Sequence, residues 1–174
     1  MLENDLFLIG DRPGFTPRIG RLVSMMSYAR HTTLAELDGL GVEALDRLHD
    51  SRSNSIGALF LHIAAVEAWY QADTFGTGKL DAEEMRAWGA ALDLGERARH
   101  EIRGHDAEFY RRALEQVRAK TLLELARRGD AWLEERSPFG RGHSANNDFK
   151  WFHVMEDELS HRGQIRWLRK RIGV

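Results

Sequence analysis

Residues 147–172 read NDFKWFHVMEDELSHRGQIRWLRKRI. The stretch predicts a helix capped near Asn147 and running to about Ile172. At about 100° per residue, Phe149, His153, Asp157, His161, Gln164, Leu168 and Ile172 fall on one slowly drifting stripe. The two ends of the stripe are apolar, as an inward face should be, but its middle holds two histidines and an aspartate. A carboxylate buried without a partner costs on the order of several kcal/mol. The stripe therefore needs a cation, a hydrogen-bond network or a water-filled cavity to face.

Working upstream, the other segments also read as helices. Thr16-Pro17 starts one, because proline in the first turn loses no N–H that the helix needs; Ile19, Leu22, Val23, Met26, Ala29, Thr33 and Leu37 then recur at three- and four-residue steps, and Gly39–Gly41 ends it. A second follows Ser55, with Leu59, His62, Val66, Trp69, Tyr70 and Asp73 on one side. A third covers about 106–135, with Tyr110, Leu114, Val117, Thr121 and Leu125 in register and Gly129 placed to bend or divide it. Between the second and third, Asp81 with Glu84 resembles a capping box for a short helix near Ala82–Ala91. Residues 137–146 read as a loop, and no segment alternates long enough to make a convincing strand. The expectation is an all-α four-helix bundle with a long connection containing a short extra helix, formed by residues 1–174 as a single domain.

Composition narrows the function classes. The 174 residues are 43% hydrophobic and 30% charged, with no cysteine, so disulfides, thiolate metal sites and a cysteine nucleophile are excluded. Twenty-five Lys+Arg against 27 Asp+Glu give a net charge of -2, which offers no general attraction to nucleic acid or an anionic membrane. The most apolar window, Ile56 to Tyr70, is too short for a membrane span and is interrupted by His62 and Glu67. The N-terminus lacks the basic start and apolar run of a signal peptide. These features point to a cytoplasmic protein acting on a small molecule, with no nucleic-acid or membrane partner.

His62 interrupts the apolar face of the second helix as the polar residues do the last. Asp157 and His161, four apart, emerge one turn apart on the same face and can reach one ion. With a third ligand from another helix they would form an open set of two nitrogens and one oxygen, suited to Zn, Fe, Mn or Ni rather than Mg or Ca. Taken bare, Asp-x-x-x-His is more often a surface pair, and a lone histidine on an apolar face is more often a satisfied core residue.

The string His153-Val-Met-Glu-Asp157-Glu-Leu-Ser-His161-Arg-Gly-Gln-Ile165 resembles the closing helix of the DinB-like (YfiT-like) metal-binding four-helix-bundle family. His62, within Ser55-Ile56-Gly57-Ala58-Leu59-Phe60-Leu61-His62, matches that family's other landmark, a histidine early in the second helix. The resemblance implies one divalent metal held by His62, Asp157 and His161. Aspartate stands where the family usually has a third histidine, which makes the site harder and shifts preference toward iron or manganese without excluding zinc or nickel. The resemblance further implies a metal-dependent enzyme, a transferase or hydrolase acting through an activated low-molecular-weight thiol or water. Mycothiol- and bacillithiol-dependent transferases and isomerases are examples of such activity in the family. The alternative is a bundle that binds a metal or small ligand without turnover, as a stress or interaction protein.

Other residues carry weaker expectations. His153 is a candidate to support the ligands, Arg162 to anchor an anionic group, and Gln164 to hydrogen-bond a ligand or a helix. Glu158-x-x-His161 is half of a di-iron pattern, but none of the other histidines supplies the second half. Glu67, about 140° around its helix from His62, reads as structural. Gly163 reads as a close helix contact. Trp151, Met155 and Leu159 read as an outer apolar strip, either covered by the long connection or serving a homodimer.

Overall fold

The computed structural model describes residues 5–173. Its main elements are α1 (Pro17–Leu34), α2 (Val42–Asp46), α3 (Ile56–Phe75), α4 (Ala82–Asp93), α5 (Gly95–Glu101), α6 (Ala107–Ala126), the hairpin strands β1 (Arg136–Phe139) and β2 (His143–Asn146), and α7 (Asn147–Ile172). The four long helices form a ring: α1 packs on α7 and α6, and α3 packs on α6 and α7. α4 covers the outer side of α3. This is the all-α four-helix bundle that the periodicity implied.

The helix starts follow from local chemistry. Ser55 accepts from Ala58 N–H (3.1 Å), Asp106 from Phe109 N–H (2.8 Å) and Asn146 from Phe149 N–H (2.9 Å), each satisfying a first-turn donor that has no partner within its helix. The cap of α7 is thus Asn146, one residue before the expected position. Asp81 and Glu84 form the expected capping box of α4. At α1 the capping acceptor comes from elsewhere: Asp130 takes hydrogen bonds from Thr16 Oγ1 (2.5 Å), Arg18 N–H (3.1 Å) and Ile19 N–H (3.2 Å).

Several expectations need correction. Residues 136–146 form a two-stranded antiparallel hairpin rather than a loop, pairing Arg136 with Asn146 and Phe139 with His143. Four-residue strands are too short to declare themselves by alternation. The third long helix stops at Ala126, and Gly129 leads into a 3-10 turn over Asp130–Glu134. The polar connections also fold, into α2 and α5. Trp151 is not on an outer strip; it is fully buried and stacks on Phe75 at 5.0 Å. The buried face of α7 runs through Lys150, Trp151, Val154, Glu158, Ile165 and Leu168, about one residue around from the stripe read in the sequence.

The centre of the bundle is ionic. Two apolar clusters occupy its two ends, one around Ile56, Phe60, Leu114 and Ile165, the other around Met26, Tyr70, Leu125 and Trp151. Between them each long helix contributes one buried charge: Arg30 from α1, Glu67 from α3, Arg118 from α6 and Glu158 from α7. Arg30 Nε donates to Glu158 Oε1 (2.8 Å) and its Nη2 to Glu67 Oε2 (2.8 Å). Arg118 Nε donates to Glu67 Oε1 (2.7 Å), and its Nη2 to Glu67 Oε2 (3.1 Å) and Glu158 Oε2 (3.0 Å). The remaining donors meet main-chain carbonyls, Arg30 Nη1 that of Leu114 and Arg118 Nη1 that of Met26 (2.8 Å). Thr121 Oγ1 completes the shell of Glu67 at 2.6 Å. Two positive and two negative groups cancel, and each carboxylate oxygen is hydrogen-bonded.

Removing one member leaves the others uncompensated. Glu67→Gln is expected to lower unfolding free energy by about 3 kcal/mol or more, read from urea denaturation. Acid acts on the same group. Burial would raise the Glu67 pKa, but Arg118 and Arg30 outweigh it and hold it at about 2 against an ordinary 4.5. A depressed carboxyl pKa gives stability that is fully present above the unfolded value and lost as pH falls through the folded one. The Glu67 contribution to urea stability should therefore be constant from pH 7 to about 5 and fall by about 3 kcal/mol between about 4.5 and 2, read as the difference between wild type and Glu67→Gln.

Candidate metal centre

One turn beyond the ionic layer, α3 and α7 present His62, Asp157 and His161 to each other. One donor atom from each residue lies within 4.8 Å of the other two. Asp157 Oδ1 is 3.4 Å from His161 Nε2 and 3.9 Å from His62 Nε2, and the two imidazoles meet edge to face at 4.6 Å between centroids. All three side chains are mostly buried, at 12%, 16% and 14% exposure for His62, Asp157 and His161. The site therefore sits at the inner wall of the α3–α7 groove, with the ionic layer behind it.

The local sequence explains this placement. Glu158 is on the buried face of α7, so Asp157, about 100° around, falls at its margin, and His161 follows one turn later on the same line. α3 is buried nearly all round; His62, Val66, Trp69 and Asp73 mark its least covered side. The stripe that looked like the centre of the bundle is the inner margin of its groove.

The donors are also chemically prepared. His62 Nδ1 lies 2.8 Å from the main-chain oxygen of Ala91 on α4. A carbonyl only accepts, so Nδ1 carries the proton and the lone pair is on Nε2, facing Asp157. Asp157 Oδ2 and His161 Nδ1 are buried and have no hydrogen-bond partner among the described residues. Burial opposes ionisation of Asp157, but His161 and His62 outweigh it and hold the carboxyl well below its ordinary range. Burial also disfavours a charged His62, yet Asp157 and the Ala91 carbonyl raise its pKa overall. Two imidazole nitrogens and one ionised oxygen are a donor set for a divalent transition metal. The 3.4 Å edge suits a shell with metal–ligand bonds of about 2.1 Å.

The other sequence candidates divide. Gln164 lies along the same groove, in a cleft that begins beside the site. His153 is engaged elsewhere: its Nδ1 pairs with Glu156 at 2.8 Å, and its ring stacks on Phe149. Arg162 faces α1, where Nη1 meets the Thr32 hydroxyl. Gly163 supports no close helix contact, since a Cβ built there meets nothing within 4 Å. Tyr70, missed in the sequence, lies edge-on to His153 at 5.9 Å; burial, Asp73 and Asp157 push its pKa up to about 12, so it remains a hydroxyl near neutral pH. Lys150 is another omission, buried against Asp73 (2.5 Å) and the Ser137 hydroxyl, where it ties the hairpin to α3 and α7.

The family model described as Mycothiol-S-transferase matches residues 21–173. The match spans nearly the whole chain, which therefore belongs to that family, within the DinB-like superfamily. No curated protein matches it. No helix among the described residues is long and apolar enough to cross a membrane.

The partners found for His153 carry a prediction. His153→Ala should leave metal content within error of the wild type, because its hydrogen bond is to exposed Glu156; metal analysis of the purified variant checks this.

Proposed function

We propose that this member of the mycothiol-S-transferase family transfers a low-molecular-weight thiol to a small electrophile, with one divalent metal held by His62, Asp157 and His161. The observation that carries the reading is the convergence of three donors from two helices, with Asp157 Oδ2 and His161 Nδ1 buried and without hydrogen-bond partners among the described residues. A divalent ion there would act as a Lewis acid, lowering the pKa of a thiol or water beside it so that a nucleophile is present near neutral pH.

The chain's own residues supply the rest. The Ala91 carbonyl fixes the His62 proton on Nδ1 and keeps Nε2 available as a donor. Asp157 stays ionised, adding one negative charge to the centre. The imidazoles and the neighbouring helix faces leave the three donors little exposed, which limits competition from bulk water. A second molecule would approach the donors along the groove, where Leu59, Ser160 and Gln164 line a cleft. A cleft along that groove favours turnover over a closed binding site, while hydrolysis remains the variant in which water takes the place of the thiol. One carboxylate among the donors shifts preference modestly toward iron or manganese without excluding zinc or nickel.

Metal analysis by mass spectrometry, on protein purified without chelators or a histidine tag, tests the centre. About one equivalent of metal per chain is expected in the wild type, and on the order of tenfold less or none in His161→Ala. Adding the metal to stripped wild type should raise its melting temperature and leave the variant unchanged. No metal in the wild type after incubation with Zn, Mn, Fe and Ni would overturn the reading.

A further inference from the structure

A separate cavity of about 310 Å³ lies beside the segment that leads into α3. Its wall is Asp46 at the end of α2, Leu48, Ser55 at the start of α3, Arg99 on α5, and Ile102 and Arg103 just after it. It shares no lining residue with the cleft beside the metal donors. Its volume suits a small organic molecule rather than a macromolecule.

The charged groups of this cavity are held in place but not used up. Gly104, at φ +76°, turns its N–H onto Asp46 Oδ2 (2.8 Å) and so fixes the carboxylate. The other oxygen, Oδ1, is buried and has no hydrogen-bond partner among the described residues. A buried carboxylate oxygen without a partner is costly and needs a reason to be there. Arg99 and Arg103 line the same cavity, yet neither is paired with Asp46 or with another carboxylate among the described residues. Arg99 Nη1 donates to the main-chain oxygen of Arg52 (3.3 Å). Ser55 Oγ accepts from Ala58 N–H, so its own O–H remains to donate.

A neighbouring group is uncommitted in the same way. Tyr110 is fully buried, and its hydroxyl has no partner among the described residues. It packs against Gly57, two residues after Ser55, where a Cβ would overlap the hydroxyl. Burial, and then the charge of Asp46, push its pKa up, so it stays a donor. A buried tyrosine O–H ordinarily finds an acceptor. The chain thus leaves an acceptor, a donor and two guanidinium groups unused around the start of α3.

The opposite charges of the cavity do not meet each other, so its occupant has to meet both. An anion alone would face the Asp46 carboxylate, and a cation alone would face two guanidinium groups. A molecule with an ammonium and a carboxylate satisfies both, and a guanidinium matches the planar carboxylate. Leu48 and Ile102 add apolar wall for a hydrocarbon side chain.

We propose that this cavity binds a free α-amino acid with an apolar side chain. Its ammonium sits on Asp46 Oδ1, its carboxylate at Arg99 and Arg103, and its side chain against Leu48 and Ile102. The site is independent of the metal centre and of the thiol-transfer reading.

The test is calorimetric titration of L-alanine, L-valine, L-leucine and L-methionine into the full chain. The deaminated acid and the amide of the tightest binder, and inorganic phosphate, serve as controls. At least one amino acid is expected to bind with a Kd below about 10 mM, and each control at least about tenfold more weakly. Asp46→Asn should weaken the amino acid at least about tenfold and leave the deaminated acid unchanged. Arg103→Gln should weaken both and leave the amide unchanged. Melting temperatures show whether the variants fold; if one does not, the control series on the wild type decides. His161→Ala should bind the amino acid as the wild type does, and loss of binding there would overturn the separation from the metal centre. No binding of any of the amino acids at about 10 mM would overturn the proposal. Phosphate or the deaminated acid binding as tightly as the amino acid would overturn it too, by showing an anion site only.

Discussion

Four buried charges, one from each long helix, decide how this bundle assembles. Arg30, Glu67, Arg118 and Glu158 form a closed neutral set in which every carboxylate oxygen has at least one partner. Apolar packing alone is tolerant of sliding, because one leucine layer resembles the next. A slip of one helix by a turn, about 5.4 Å, would strand a charge in the apolar layer above or below. A buried ion pair contributes little net stability over a well-packed apolar substitute. Its effect here is to select one axial register among several that hydrophobic burial would nearly equate.

That register positions the chemistry. Glu158 and Asp157 are consecutive: the first faces the arginines and the second faces the groove. Glu67 stands on the helix that carries His62, five residues further on. Fixing Glu67 against Glu158 through the two arginines fixes α3 against α7, and with it the separation of His62 from Asp157 and His161. Frame and candidate site are thus written on adjacent positions of the same helices. The groove residues can differ without disturbing the charges that align them, which gives a physical route by which one bundle carries different donor sets and substrates.

The fold was legible in the sequence because long amphipathic helices repeat one signal many times, and their caps at Ser55, Asp81 and Asp106 are local. The hairpin was not, since a four-residue strand gives at most two alternations. Reading α7 about 100° away from its true buried face had a specific cause. By spacing, His153, Asp157 and His161 read as polar groups at the centre, whereas the residues buried there are Trp151 and Glu158. The clue was present on α3, where Glu67 interrupts the most apolar window in the chain and calls for cationic partners. Identifying Arg30 and Arg118 as those partners requires three-dimensional proximity between residues 37 and 51 positions away. The clustering of His62, Asp157 and His161 was suggested by helical spacing and by family resemblance. Their buried unpaired atoms, and the cleft beside them, appear only when α3 and α7 are brought together.

The oxygen that orients His62 belongs to the main chain of Ala91, on the excursion that covers α3. Any residue at position 91 would offer the same carbonyl, so this contact is encoded by where α4 docks and not by a side chain. A comparison of site residues alone would pass over it. The excursion is therefore part of the site's wall in a positional sense: substitutions that shift its packing would re-aim an imidazole that they never touch.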